Sequence, residues 1–201
     1  ELAIAGNIID YGVSSDVDVA GEVDKILRYE RQCIAKESQA IFDFKDFKKV
    51  FKKSGTILII GDNAGETVFD RLLIEELIRE DKDKRIIYAV RGKPVINDTT
   101  FTEAVTSGLD EMAELVSTGA QAPGAVMRLC SPAFIRVFRS ADMVISKGQG
   151  NFEALSDVRR DIFFLFMAKC DVIVKDIRRR IGMCEKGNII LYYKHNRRAK
   201  K

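Results

Sequence analysis

The sequence predicts a three-layer α/β/α sandwich on a mainly parallel, Rossmann-like sheet, with helices in its N-terminal portion. Three observations carry that expectation. From residue 55 onward, short apolar runs alternate with longer amphipathic ones. The short runs are apolar at nearly every position, as in strands buried on both faces of a helix-covered parallel sheet. Acid, amide, glycine and lysine residues gather where those runs end.

The elements follow in order. Residues 15–54 lack strand signals, and "EVDKILRYERQCIA" and "KDFKKVFKKS" read as helices packed at the sheet edge. Residues 1–54 are therefore expected to be a helical segment on the core, the remnant of a longer N-terminal region, with residues 55–201 forming the α/β core. The chain opens "ELAIAGNIIDYG", without methionine and inside what reads as a structured segment, so an upstream part is expected. "TILIIG" (56–61) is the first strand. "GETVFDRLLIEELIRED" (65–81) follows as a helix whose Val68, Leu72, Leu73, Leu77 and Ile78 recur at helical spacing. "RIIYAV" (85–90) is a second strand, followed by the loop "RGKPVIND". "DTTFTEAVTSG" (98–108) is a helix with Gly108 past its end. "AELVSTG" (113–119) is a third strand, and "SPAFIRVFRSA" (131–141) a helix opened by Ser131 with Pro132 in its first turn. "DMVISKG" (142–148), the short helix "NFEALSD" (151–157) and "IFFLFMA" (162–168) complete the alternation, and "KGNIILYYKH" adds an edge strand.

Composition narrows the function classes. A chain of 201 residues, 46% hydrophobic and 31% charged, can bury the core of one large domain, with or without a small appendage. Its 33 basic and 30 acidic residues are too balanced to indicate nucleic acid. The basic tail "HNRRAKK" reads as a solvated terminus. No apolar stretch reaches the roughly 18 residues of a membrane span, and no signal peptide is visible. Cys33, Cys130, Cys170 and Cys184 show neither zinc spacing nor a disulfide framework, which suits a reducing cytoplasm. His195, the single histidine, lies in the tail, so a Ser-His-Asp or Cys-His device is not expected.

Ligands of open parallel sheets bind beyond the carboxyl ends of strands, and four successive ends here are polar. The first delivers Asp62 and Asn63, the second Asn97 and Asp98, the third "STGAQAPG" (117–124) and the fourth "SKGQGN" (146–151). Asp62, Asn63 and Asp98 are hard oxygen donors suited to Mg²⁺, Mn²⁺ or another octahedral divalent ion. They serve equally well as caps of the helices that follow, and capping and ligation are compatible. In "SKGQGN", Gly148 and Gly150 permit backbone N–H groups to converge on an anion beside the charge of Lys147. The same stretch is also a plain glycine turn with a solvated lysine. Neither GxxxxGK[ST] nor GxGxxG occurs.

"GDNAGE", "GKPVINDTT", "STGAQAPG" and "SKGQGNFE", in that order, resemble the motifs of the metal-dependent damage-control phosphatases. That family was long catalogued as a domain of unknown function, and one branch was also described as an acidic-residue carboxyl methyltransferase. "AGNIIDYG" is similar to a further family segment, which normally follows an all-helical region that this chain lacks; the short, cysteine-poor form looks like the archaeal or bacterial branch. The resemblance covers nearly the whole chain. It implies Asp62, Asn63 and Asp98 as metal ligands, with Asp62, Asp98 and Lys147 as the catalytic set. It places Lys147 on the substrate phosphate, assisted by amides from Gly148 through Gly150 to Asn151, with Asn7 and Asp10 lining the same cleft. It implies Co²⁺, Ni²⁺, Mn²⁺ or Mg²⁺ as cofactor and small phosphoesters as substrates, such as sugar phosphates and damaged or normal pantetheine phosphates. No nucleic-acid or membrane partner is implied, and a homo-oligomer is compatible.

Such an enzyme would neutralise a phosphomonoester dianion and bring a water in line, with Asp62 or Asp98 accepting its proton. An aspartyl-phosphate route through Asp62 is the alternative, although dehalogenase-type phosphatases carry a second Asp two residues later, where this chain has Ala64. Two other functions compete with the phosphatase. One is an S-adenosylmethionine-dependent carboxyl methyltransferase, for which "GDNAGE" is a poor glycine loop. The other is a non-catalytic metal- or phosphometabolite-binding module.

Overall fold

The structure is a computed structural model that describes residues 2–5 and 41–196. Asn7, Asp10, Cys33, the expected helix "EVDKILRYERQCIA" and residues 197–201 lie outside the described residues.

Six strands form one sheet: β1 (Thr56–Ile60), β2 (Arg85–Val90), β3 (Glu114–Ser117), β4 (Met143–Lys147), β5 (Ile162–Met167) and β6 (Ile189–Lys194). Their order is β3-β2-β1-β4-β5-β6. The first five run parallel, and β6 pairs antiparallel with β5 at the edge. The all-apolar strands are explained by what covers them. Leu58, Ile60, Ile87, Ala89, Val144, Phe164 and Phe166 face one side, under α5 (Pro132–Ser140), α6 (Gln149–Leu155) and α7 (Asp171–Ile181). Ile57, Ile59, Ile86, Tyr88, Val90, Ile145 and Phe163 face the other. There they meet α1 (Leu2–Ala5), α2 (Phe44–Lys53), α3 (Thr67–Glu80) and α4 (Phe101–Thr106). The three-layer sandwich is thus observed. No described helix is long and apolar enough to cross a membrane.

Helix α2 joins the core directly. Phe47 meets Phe163 edge to face, with ring centroids 5.2 Å apart, and the Asp43 N–H donates to the Leu191 carbonyl at 2.8 Å. Ser131 caps α5 as expected, its hydroxyl accepting from the Phe134 N–H at 3.1 Å. Three details depart from the sequence reading. Helix α4 starts at Phe101 and is capped by Thr100, in a capping box with Glu103, which frees Asp98. Helix α3 is rolled so that Asp70, Ile74 and Leu77 are buried while Val68 and Leu72 are exposed. The reason is the inward hydrogen bonding of Asp70 described below. Helix α7 has no counterpart in the sequence reading; it buries Ile173, Val174 and Ile177 at helical spacing.

Candidate metal and phosphate site

Chain progression reverses between β1 and β4, which makes the carboxyl ends of these two strands the switch point where open parallel sheets bind ligands. Asp62 lies just past β1, and Lys147 ends β4. The loop after β2 doubles back to the same place. Asn63 and Asp98 form an isolated antiparallel bridge. The Thr99 N–H donates to the Asp62 carbonyl at 2.7 Å, and the Ala64 N–H to the Asn97 carbonyl at 2.8 Å. The Arg91 N–H in turn donates to the Thr99 carbonyl at 2.8 Å. Backbone pairing therefore brings Asp62, Asn63 and Asp98 together.

The capping alternative is decided at two of these positions. The Asn63 side chain makes no cap bond to the 3₁₀ turn Ala64–Glu66, and the cap of α4 is Thr100. Asn63 Nδ2 instead donates to Glu66 Oε1 at 3.1 Å, which turns the amide oxygen away from Glu66.

Beneath this edge lies a layer of buried charge. Lys147 Nζ donates to Asp70 Oδ1 at 2.5 Å and to Glu66 Oε2 at 3.0 Å, and all three side chains are fully buried. The Tyr88 hydroxyl donates to the other Asp70 oxygen at 2.7 Å. Arg91, also buried, donates from Nε to Asp98 Oδ2 at 2.5 Å and from Nη2 to Asn151 Oδ1 at 3.1 Å. The same Nη2 lies 3.9 Å from Asp62 Oδ1.

The two ends of the expected amide run, Gly148 and Asn151, differ in what they leave for a ligand. The Asn151 side chain is fully buried: Nδ2 donates to the Gly61 and Lys147 carbonyls at 2.9 and 2.7 Å, and Oδ1 accepts from the Ala125 N–H at 2.8 Å and from Arg91. It knots strand ends together and offers a ligand at most its backbone amide. The Gly148 N–H donates to the Leu165 carbonyl at 2.9 Å and is likewise committed to the sheet. Gly148 has another duty. At φ +80°, a Cβ there would overlap the Asp62 carboxylate, so only glycine lets β4 pass so close to that acid. The "TGAQAPG" loop reaches the same place, because Gly124 packs against the Gly150 carbonyl.

Burial and the neighbouring acids Glu66 and Asp98 push the Asp62 carboxyl up to about 8, against the pull of Arg91 and Lys147. Glu66 is also raised, by burial and then by Asp70, with Lys147 opposing. Burial alone would strip the proton from Lys147, but Asp70 and Glu66 outweigh it and hold the ammonium charged. Among the described residues, the carboxyl groups of Asp62, Glu66, Asp70 and Asp98 and the cations Arg91 and Lys147 are all buried here. Crowding carboxylates at such depth is costly, and burial favours their protonated forms.

Glu66, Asp70, Tyr88 and Arg91 were not singled out from the sequence. Glu66 and Arg91 stand inside or beside the quoted motifs, but nothing in one dimension shows that they turn inward.

The comparisons with known proteins bear on this arrangement. The model of the damage-control phosphatase ARMT1-like domain matches residues 1–184. The chain belongs to this family. It is 38% identical over 180 residues to damage-control phosphatase PH1575 of Pyrococcus horikoshii, covering 89% of this chain and 60% of that protein. It is 34% identical over 183 residues to a damage-control phosphatase of Archaeoglobus fulgidus, covering 90% of this chain and 61% of that one. Among solved structures, that of a DUF89 family protein from Pyrococcus horikoshii superposes with a TM-score of 0.80 at 36% identity, covering 96% of this chain and 63% of its own. The chain thus spans about 60% of the length of the curated relatives it matches.

Proposed function

We propose that this chain carries the catalytic core of a divalent-metal-dependent phosphatase acting on small phosphorylated metabolites, sugar phosphates and pantetheine phosphates among them. The observation that carries the reading is the gathering of Asp62, Asn63 and Asp98 by backbone pairing at the switch point of the sheet. Two acids and an amide at one place offer the hard oxygen donors that a divalent cation takes. Among the described residues no three His, Cys, Asp or Glu side chains form a metal cluster. The cation would instead take carboxylate oxygens of Asp62 and Asp98 and the amide oxygen of Asn63, leaving positions for water and substrate, as Mg²⁺ and Mn²⁺ favour and Co²⁺ or Ni²⁺ accept.

The bound ion would screen the phosphoryl charge and acidify a water. The chain's own residues do the rest. In this reading Asp62 accepts the proton of the attacking water through the oxygen it does not give to the metal. Lys147 gives two of its three N–H groups to Asp70 and Glu66, and the third is the one offered to a phosphoryl oxygen. The first turn of α6 supplies N–H groups that lack intrahelical acceptors, and the amides of Gly150 and Asn151 are the anion contacts in this reading. Asn7 and Asp10 remain candidates for the cleft wall by family resemblance.

The test is a chelator-stripped assay with Mg²⁺, Mn²⁺, Co²⁺ and Ni²⁺ restored singly, against sugar phosphates, a pantetheine phosphate and an aryl phosphate. Turnover that returns with metal and is lost in Asp62→Ala and Asp98→Ala is the expected result. Metal and phosphate binding without turnover, in this chain and in a full-length relative, would replace the enzyme with a binding module.

A further inference from the structure

Arg91 stands at the centre of the site without being part of the donor set, and three observations single it out. It is 1% exposed, among the most deeply buried large side chains of the molecule. Its guanidinium touches groups from three strand ends: Asp98 after β2, Asn151 after β4 and, at 3.9 Å, Asp62 after β1. Its Nη1 is buried and has no hydrogen-bond partner among the described residues. A buried N–H left without an acceptor is destabilising, so a residue retained in that state is held there by its other contacts.

We infer that Arg91 is the positioning residue of the cation site, because its Nε takes Oδ2 of Asp98 and leaves that carboxylate only Oδ1 to present to a metal. The inference rests on the cation reading above. Held at one oxygen, Asp98 cannot swing to chelate through both, and its orientation is settled before any ion arrives. Through Nη2 the same side chain grips Asn151, whose amide group is tied to the Gly61 and Lys147 carbonyls. Arg91 therefore couples the direction of Asp98 to the spacing between β1 and β4. The guanidinium holds its donors in a fixed planar fork, and a lysine ammonium, a point charge on a flexible stem, does not reproduce that geometry. Outer partners that orient a metal ligand in this way are typically worth about 10–100-fold in metal affinity.

The experiment measures Mn²⁺ binding by calorimetry and electron paramagnetic resonance on chelator-stripped wild type, Arg91→Lys and Arg91→Gln, with folding checked by circular dichroism. Folded variants are expected to bind Mn²⁺ about 10–100-fold more weakly. A merely structural role would lower the melting temperature and leave the Mn²⁺ affinity of the folded fraction alone. If both variants fail to fold, ¹⁵N-arginine-labelled wild type supplies the answer. The protected Arg91 Nε–H signal should shift when Mg²⁺ engages the opposite oxygen of Asp98, and a signal unmoved at saturation overturns the inference. Folded Arg91→Lys that binds Mn²⁺ within twofold of wild type also overturns it, and leaves the cation reading intact. Wild type that binds neither ion defeats the cation reading and this inference together.

Discussion

The Lys147 ammonium lies 2.5 Å from Oδ1 of Asp70, both side chains fully buried, with Glu66 3.0 Å away on its other side. This contact joins the end of β4 to the first turns of α3, and Tyr88 from β2 closes it from below. It fixes the roll of α3 against the sheet, which in turn sets where Glu66 meets Asn63.

Removing that ammonium should therefore cost stability before it costs chemistry. Lys147→Met leaves Glu66 and Asp70 buried without a cation, and breaking such a pair destabilises by about 3–5 kcal/mol. Urea unfolding should show the loss. The double variant Lys147→Met, Asp70→Asn should recover part of it, because one of the stranded charges is gone.

Gly148→Ala should abolish tight Mn²⁺ binding. The added Cβ would overlap the Asp62 carboxylate and would sit at φ +80°. Calorimetry on the folded variant is expected to show at least a tenfold loss, by the scale of misplaced ligands. Gly150→Ala is the control, since its nearest neighbours would be at 3.7 Å.

The metal-free protein should become less stable as pH rises. Asp62 titrates at about 8 when folded against 3.8 as a free carboxyl. Between those values the native state holds a proton that the unfolded chain has released. Stability therefore falls with pH across that window and levels off above it. Melting temperatures in chelator at pH 5, 6, 7 and 8 should decline, and Asp62→Asn should flatten the decline. Saturating Mg²⁺ should oppose it, because the ion binds the carboxylate form.

Ile96 is a strained position beside the site. It has φ +52° and is 85% exposed, so a β-branched side chain occupies the left-handed region with almost no packing in return. Ile96→Asn suits that backbone and should raise stability by about 0.5–1 kcal/mol, within the 1–2 kcal/mol left-handed penalty. A thermal melt checks it, and an unchanged or lower midpoint would mean that the side chain is held by contacts that matter.

The sequence by itself determined the architecture and the strand ends at which acid and amide side chains gather. Uniformly apolar strands can only be buried on both faces, and strand ends are where a parallel sheet leaves backbone and side chains open. Asp62, Asn63 and Asp98 were therefore legible from position and residue type, as was the Ser131 cap. What those signals could not convey is which way a side chain turns once layers pack. The Asn151 side chain is engaged in tying strand ends, and Lys147 is also clasped by Asp70 of α3 and by Glu66 from the turn before it. Glu66, Asp70 and Arg91 read as ordinary charged residues, because their partners are distant in sequence: 81 residues for Glu66 with Lys147, 77 for Asp70 with Lys147, and 60 for Arg91 with Asn151. Tertiary structure alone decided these roles. Burial removes water as the default partner, and each buried charge must then take whatever complement the packed layers bring within reach.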